Sequence, residues 1–153
     1  MFLGGLVVNT FLKRACKQDC DLIFNWANDV SVRKNSFNSN ELNYDEHVVW
    51  FDNKLHSNNS IIFLFYYNNL PVGQVRIDIE NKVGIISYSI DKDFIGCGLS
   101  IEMLRLLEVN VNKDVNKLIG NVKFGNVGSQ KIFEKLGYVK SVNENFIKYY
   151  KLI

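Results

Sequence analysis

Apolar and polar residues alternate along this chain with two different periods, and the points where the period changes mark the elements. Thr10 to Ala15 predicts a short strand, and Gln18 to Asn28 a helix with Leu22, Ile23, Trp26 and Ala27 on one stripe. A polar stretch follows from Asn28 to Asn43, with Val30, Val32 and Phe37 scattered through it, and it reads as a long functional loop. Asn43-Tyr44-Asp45-Glu46 has the spacing of a capping box, so a helix starts there and runs to about Leu55. Its apolar spacing predicts Tyr44, Val48, Phe51 and Leu55 against the core, with His47, Trp50 and Lys54 on the neighbouring flank.

The middle of the chain is strand-rich. Ile61 to Tyr67 turns at Asn68-Asn69 into a second strand, Val72 to Glu80, and Pro71 at its start is compatible with the ladder. The second strand alternates cleanly: Val75, Ile77 and Ile79 face one way, and Gln74, Arg76, Asp78 and Glu80 the other. Four polar groups in a row need water or a ligand, so this face is either a solvent face or the floor of a cleft. After Asn81-Lys82 a third strand runs from Val83 to Ile90. A helix with Ile101, Leu104, Leu107 and Val111 on its buried side follows, then a strand at Lys117 to Val122. A helix around Gly128 to Leu136, capped by Gly137, leads to a closing hairpin of Tyr138 to Asn143 and Phe146 to Leu152. The order of elements reads as α/β (α+β), a single domain over residues 1–153.

Between the third strand and its helix lies the stretch with the clearest chemistry, Asp91 to Ser100. Gly96 and Gly98 allow successive backbone N–H groups to converge, and the helix starting near Leu99 adds unpaired donors and the positive end of its dipole. This is an anion cradle that needs no lysine. It is neither a P-loop nor a dinucleotide fingerprint, since Gly96-Cys97-Gly98 supplies only the first half of either motif.

The cradle is similar to the acyl-CoA loop of the GNAT superfamily of N-acetyltransferases, whose Q/R-x-x-G-x-G/A pattern falls on Ile95, Gly96, Cys97, Gly98, Leu99 and Ser100. Ile95 stands in place of Arg or Gln, and Ser100 in place of Gly or Ala. Asn126 to Tyr138 resembles the second signature of that superfamily, N-x-x-S-x-x-x-Y/F-x-x-x-G-F/Y, with every small and apolar position in register. The resemblance implies a mixed, mostly antiparallel sheet with helices on both faces and a splayed acetyl-CoA cleft. It also implies that Asn126 contacts the pantetheine arm, that Ser129 starts the helix near it, that Phe133 flanks the thioester and that a backbone N–H near Ser89 or Ile90 polarises the acetyl carbonyl. The first half, including Trp26-Ala27-Asn28-Asp29, Glu46-His47 and Gly73-Gln74-Val75-Arg76, resembles GNAT domains that acetylate nucleotide-linked amino sugars in pseudaminic acid biosynthesis. On that reading Asn35, Ser36, Phe37, His47, Trp50 and Arg76 bind a UDP-linked amino sugar. Ribosomal-protein N-terminal acetyltransferases share part of the pattern, and a domain that binds acyl-CoA without reacting is the third reading.

The chemistry implied is direct attack of an amine on the acetyl thioester, which calls for a proton acceptor and a proton donor. Relatives often use a Glu five residues before the signature Asn and a Tyr at the Phe133 position. Here those positions hold Asn121 and Phe133. The remaining candidates are Glu80, Asp78 or His47 as base and Tyr88 as acid.

Composition narrows the partners. A net charge of +2 spread over interspersed charged residues, with no basic block, points away from nucleic acid. The apolar run MFLGGLVVN is too short to span a bilayer and lacks a basic n-region, so it reads as a first strand or a packed tail. Cys16, Cys20 and Cys97 form no CxxC pair, which suits a reducing cytoplasm and predicts neither a disulfide scaffold nor a metal site. The expected state is a monomer or homodimer.

Overall fold

The computed structural model describes residues 9–153 in full and, ahead of them, the backbone of two short paired strands, β1 (Phe2–Leu3) and β2 (Leu6–Val7). The rest of the expected N-terminal strand or tail, Met1, Gly4, Gly5 and Val8, lies outside the described residues. From Thr10 the elements are β3 (Thr10–Arg14), α1 (Cys20–Ala27), α2 (Val30–Asn35), α3 (Tyr44–Leu55), β4 (Ser60–Tyr67), β5 (Leu70–Glu80) and β6 (Val83–Ile90). They continue with α4 (Leu99–Val111), β7 (Lys117–Val122), α5 (Val127–Lys135), β8 (Val139–Val142) and β9 (Ile147–Leu152).

Among the described residues, seven strands form one sheet in the order β3-β4-β5-β6-β7-β9-β8. Every neighbouring pair is antiparallel except β6 and β7. Two tight turns make the central hairpins possible. Asn68, Asn69, Asn81 and Lys82 all adopt positive φ, the geometry that lets a two-residue turn match the twist of its strands.

The alternation along β4 explains why helices cover both faces. Ile61, Phe63 and Phe65 join Val75, Ile77 and Ile86 under α4, where Met103, Leu104, Leu107 and Val111 complete the larger core. Ile62 and Leu64 point the other way, against Ile23 and Trp26 of α1 and Phe51 of α3. Fully burying a side chain of this size stabilises the fold by roughly 1.5–3 kcal/mol.

Two helices depart from the sequence expectation. The polar stretch after Asn28 is not all loop, because Val30–Asn35 forms α2, started by the Asp29 carboxylate accepting from Ser31 N–H at 3.1 Å. Arg33 then binds the surrounding chain together. It donates to the carbonyls of Ala27 (2.7 Å), Asn38 (3.0 Å) and Asn40 (3.4 Å) and to Ser36 Oγ (3.2 Å). Helix α3 starts as expected, with Asn43 Oδ1 accepting from Glu46 N–H at 3.0 Å, but it is rotated. His47 (6 % exposed) and Phe51 (2 %) are buried, while Tyr44 (45 %) and Val48 (39 %) face outward. The histidine is accommodated because its Nε2–H donates to the Cys20 carbonyl of α1 at 3.1 Å and its ring stacks on Phe51.

Candidate active site

The site is built from one interruption of the sheet. β6 and β7 are in register for only three residue pairs: Val83 with Lys117, Gly84 with Leu118 and Ile85 with Ile119. Beyond them β6 stays on β5 as far as Ile90 and β7 stays on β9 as far as Val122, so the two strands part. The parity of the ladders decides which backbone groups face the gap. Asp91 N–H bonds the Val72 carbonyl at 2.7 Å, so Ser89 and Ser87 are the hydrogen-bonded partners of Gln74 and Arg76, and Tyr88 and Ile90 turn their amides and carbonyls toward β7. The same argument from Ile153 N–H to the Asn116 carbonyl turns the backbone of Asn121 toward β6. Of the two expected polarising amides, Ile90 is therefore available, and Ser89 is committed to β5.

A cleft of about 700 Å³ runs through this gap and opens on both faces of the sheet. On the α4–α5 face, Asp91 Oδ1 accepts from Asp93 N–H and Asp91 Oδ2 from Trp26 Nε1–H, each at 2.9 Å, anchoring the loop that follows. Gly96 and Gly98 take φ of +85° and +74°, and no side chain caps α4. No acceptor among the described residues meets the amides of Gly96, Cys97, Gly98, Leu99 or Ser100. Ile95 and Ser100 line the cleft, Cys97 is exposed, and the Leu99 side chain is buried in the core.

Across the gap, Asn126 Oδ1 accepts from Ser129 N–H at 3.2 Å, capping α5 and leaving its amide nitrogen free. Ser129 Oγ is hydrogen-bonded to the Tyr88 hydroxyl. Phe133 is buried, stacked on Tyr149 with ring centroids 5.4 Å apart, and its ring fills the space where a Cβ on Gly120 would sit.

The opposite face carries the polar side chains of β5 and β6. Gln74 donates to Ser89 Oγ at 3.2 Å, and Arg76 lies over the Trp50 ring at 5.0 Å. His47, Glu46, Asn35, Ser36, Phe37 and Asn121 complete this side of the cleft. Phe37 reaches across to pack edge-on against Phe146 at 5.5 Å, and Lys123 Nζ donates to the Lys34 carbonyl at 3.1 Å, so the α2–α3 loop bridges to the far strands.

The family profile of the acetyltransferase (GNAT) domain matches residues 9–139. The chain belongs to the GNAT acetyltransferase family. Solved structures repeat its fold. A domain from Methanocaldococcus jannaschii is 21 % identical, with a TM-score of 0.84 over 96 % of this chain and 100 % of that one. A ribosomal L7/L12 α-N-protein acetyltransferase in complex with coenzyme A is 15 % identical, with a TM-score of 0.80 over 93 % of each chain. An aminoglycoside acetyltransferase in complex with coenzyme A and kanamycin is 14 % identical, with a TM-score of 0.80 over 94 % of this chain and 95 % of that one. No curated protein matches the chain in sequence.

As a GNAT domain the chain is an acetyl-CoA-dependent N-acetyltransferase. Its residues fit that cosubstrate: free loop amides suit a pyrophosphate, and the unmatched backbone groups of Tyr88, Ile90 and Asn121 suit the amides of a pantetheine arm lying as an extra strand. Among the described residues no helix is long and apolar enough to cross a membrane, and no cluster of three metal-ligating side chains occurs.

The structure separates the proton-transfer candidates. Glu80 is exposed on the turn at the closed end of β5–β6, away from the gap. Asp78 accepts from Lys54 Nζ (2.7 Å), Ser60 Oγ (3.0 Å) and Arg76 Nε (3.0 Å) and does not line the cleft. Burial works against its charge, but the two cations outweigh it and hold the carboxyl below its ordinary range. His47 and Tyr88 do line the cleft. Burial pushes His47 down, despite its bond to the Cys20 carbonyl, and pushes Tyr88 up, despite Ser129, so both are neutral near pH 7. Ser87 and Glu46 line the cleft but were not among the expected site residues, and Gln74 lines it as one of the four polar groups whose face was expected to be solvent or a cleft floor. The alternation of β5 and β6 that placed Arg76 carries the signal for Gln74 and Ser87.

Proposed function

We propose that this GNAT domain, as one unit in the cytoplasm, transfers the acetyl group to the amine of a nucleotide-linked amino sugar. The observation that carries the reading is the acceptor half itself. A flat wall of Arg76 on Trp50 stands inside a cavity bridged by Phe37 and Phe146, a shape suited to a compact polar acceptor rather than a polypeptide.

Bound along the splay, acetyl-CoA supplies the acetyl thioester. The Ile90 amide is directed into the gap, where it would stabilise the charge that develops on the carbonyl oxygen. Tyr88 holds its proton at neutral pH and, oriented by Ser129, delivers it to the leaving thiolate. Phe133, with no hydroxyl, shapes the floor. On the acceptor face His47 receives the proton of the attacking amine, directly or through water. Its Nε2–H is spent on Cys20, so Nδ1 is the accepting atom.

The test is free-thiol release from acetyl-CoA with a UDP-linked 4-amino-4,6-dideoxy sugar, an aminoglycoside and a set of peptide N-termini. Release with the nucleotide sugar is expected. Release with peptides alone would move the assignment to protein acetylation, and binding of acetyl-CoA with no release would make this a non-reacting acyl-CoA domain.

A further inference from the structure

We propose that Arg76 is a preset anion subsite held in place by Asp78, so that the acetyl acceptor presents a phosphate-class anion to the wall of the cleft. This deepens the reading of that cavity as the acceptor half and names the group recognised there.

A guanidinium has five N–H donors. Arg76 commits Nε–H to Asp78 Oδ2 at 3.0 Å and one Nη2–H to Ser87 Oγ at 3.3 Å. The other three meet no acceptor among the described residues, although the side chain is only 21 % exposed and borders the cleft. Trp50 covers one face of the group, leaving its edges to the cavity. A half-buried cation with unmatched donors favours an anion that can accept two of them side by side.

Asp78 makes this a fixed site instead of a spent ion pair. Its carboxylate is held from behind by Lys54 Nζ at 2.7 Å and Ser60 Oγ at 3.0 Å, so it cannot swing with Arg76 into the cleft. Two cations share that one carboxylate, which leaves one positive charge in this group of three, with Glu46 the other carboxylate on this side of the cleft. Arg33, the other guanidinium bordering the cleft among the described residues, spends four of its five donors on three carbonyls and Ser36. Asp78 is thus a positioning residue and Arg76 the contact.

The test is titration of Trp emission with UDP, inorganic pyrophosphate and uridine. Saturating coenzyme A keeps the glycine loop from taking the anion. UDP and pyrophosphate should give saturable changes and uridine none. Arg76→Gln should abolish them, Arg76→Lys should weaken binding by about tenfold through loss of the fork, and Asp78→Asn should weaken it several-fold with coenzyme A binding unchanged. No saturable change in the unaltered protein, or equal affinity in a folded Arg76→Gln variant, would overturn the subsite. Arg76-dependent UDP binding without transfer to any amino sugar would keep the subsite and remove the amino-sugar assignment. Transfer to a UDP-linked amino sugar that is indifferent to Arg76→Gln would do the reverse.

Discussion

Tyr88 and His47 both line the cleft, and each owes its place there to one tertiary hydrogen bond. Tyr88 borders the cleft with its hydroxyl on Ser129, and position 133 holds a Phe with no hydroxyl to offer. Tyr88→Phe should therefore lower kcat by about 10²-fold, the low end for loss of a general acid, with the KM for acetyl-CoA nearly unchanged. Equal kcat in steady-state assays would take Tyr88 out of the chemistry. His47 was expected on the flank beside the buried stripe, because Val48, Val49, Trp50 and Phe51 are contiguous and allow more than one buried face. What settles the rotation is the Cys20 carbonyl, a tertiary partner that no periodicity reveals.

The buried histidine also carries a pH dependence with a definite sign. Its folded value lies below the ordinary 6.5, so the unfolded chain takes up the proton first. Stability should be full above that value and fall as pH drops through 6.5 toward the lower folded value. Urea unfolding followed from pH 8 to pH 5 should show this slope, and His47→Gln should flatten it. A slope unchanged in the variant would assign it to other groups.

At the scale of elements, the strands were legible because each of their determinants is local. Alternation set β5, and Asn68-Asn69 and Asn81-Lys82 marked the two hairpins that the positive φ values confirm. The parity that frees the Ile90 amide and commits that of Ser89 was within reach too, since a two-residue turn fixes the register of everything behind it. Helix α2 was not legible, because VSVRKN has no apolar stripe. It stands on the Asp29 cap and on the Arg33 bonds, which depend on the chain returning from Asn38 and Asn40. Asp78 and Glu80 were placed on the right strand face, but the distance of each from the gap follows from where β7 stops pairing with β6.

Strand β7 and helix α5 meet at Gly120, where the Cβ of any side chain would enter the Phe133 ring. That contact is with a buried ring stacked on Tyr149, so it cannot yield cheaply. Gly120→Ala should cost about 1–3 kcal/mol of stability and weaken acetyl-CoA binding, because α5 and Ser129 are pushed from the gap. Chemical denaturation paired with calorimetric titration would check both, and an unshifted denaturation midpoint would show that α5 floats free of β7.

For the whole molecule, the parting of β6 from β7 gives the sheet four edges where an unbroken one would have two. The two inner edges, at Ile86 to Ile90 and at Asn121, are flanked by apolar residues and present backbone groups with no strand to answer them. Such rows are templates for any passing strand. Coenzyme A lying along them would act as the missing strand, so it should slow amide exchange at Tyr88, Ile90 and Asn121 and suppress self-association on warming. Exchange rates that are the same with and without coenzyme A would contradict this. The cosubstrate is then also a guard on solubility, and the chain is most prone to clump when neither coenzyme A nor its acetyl form fills the gap.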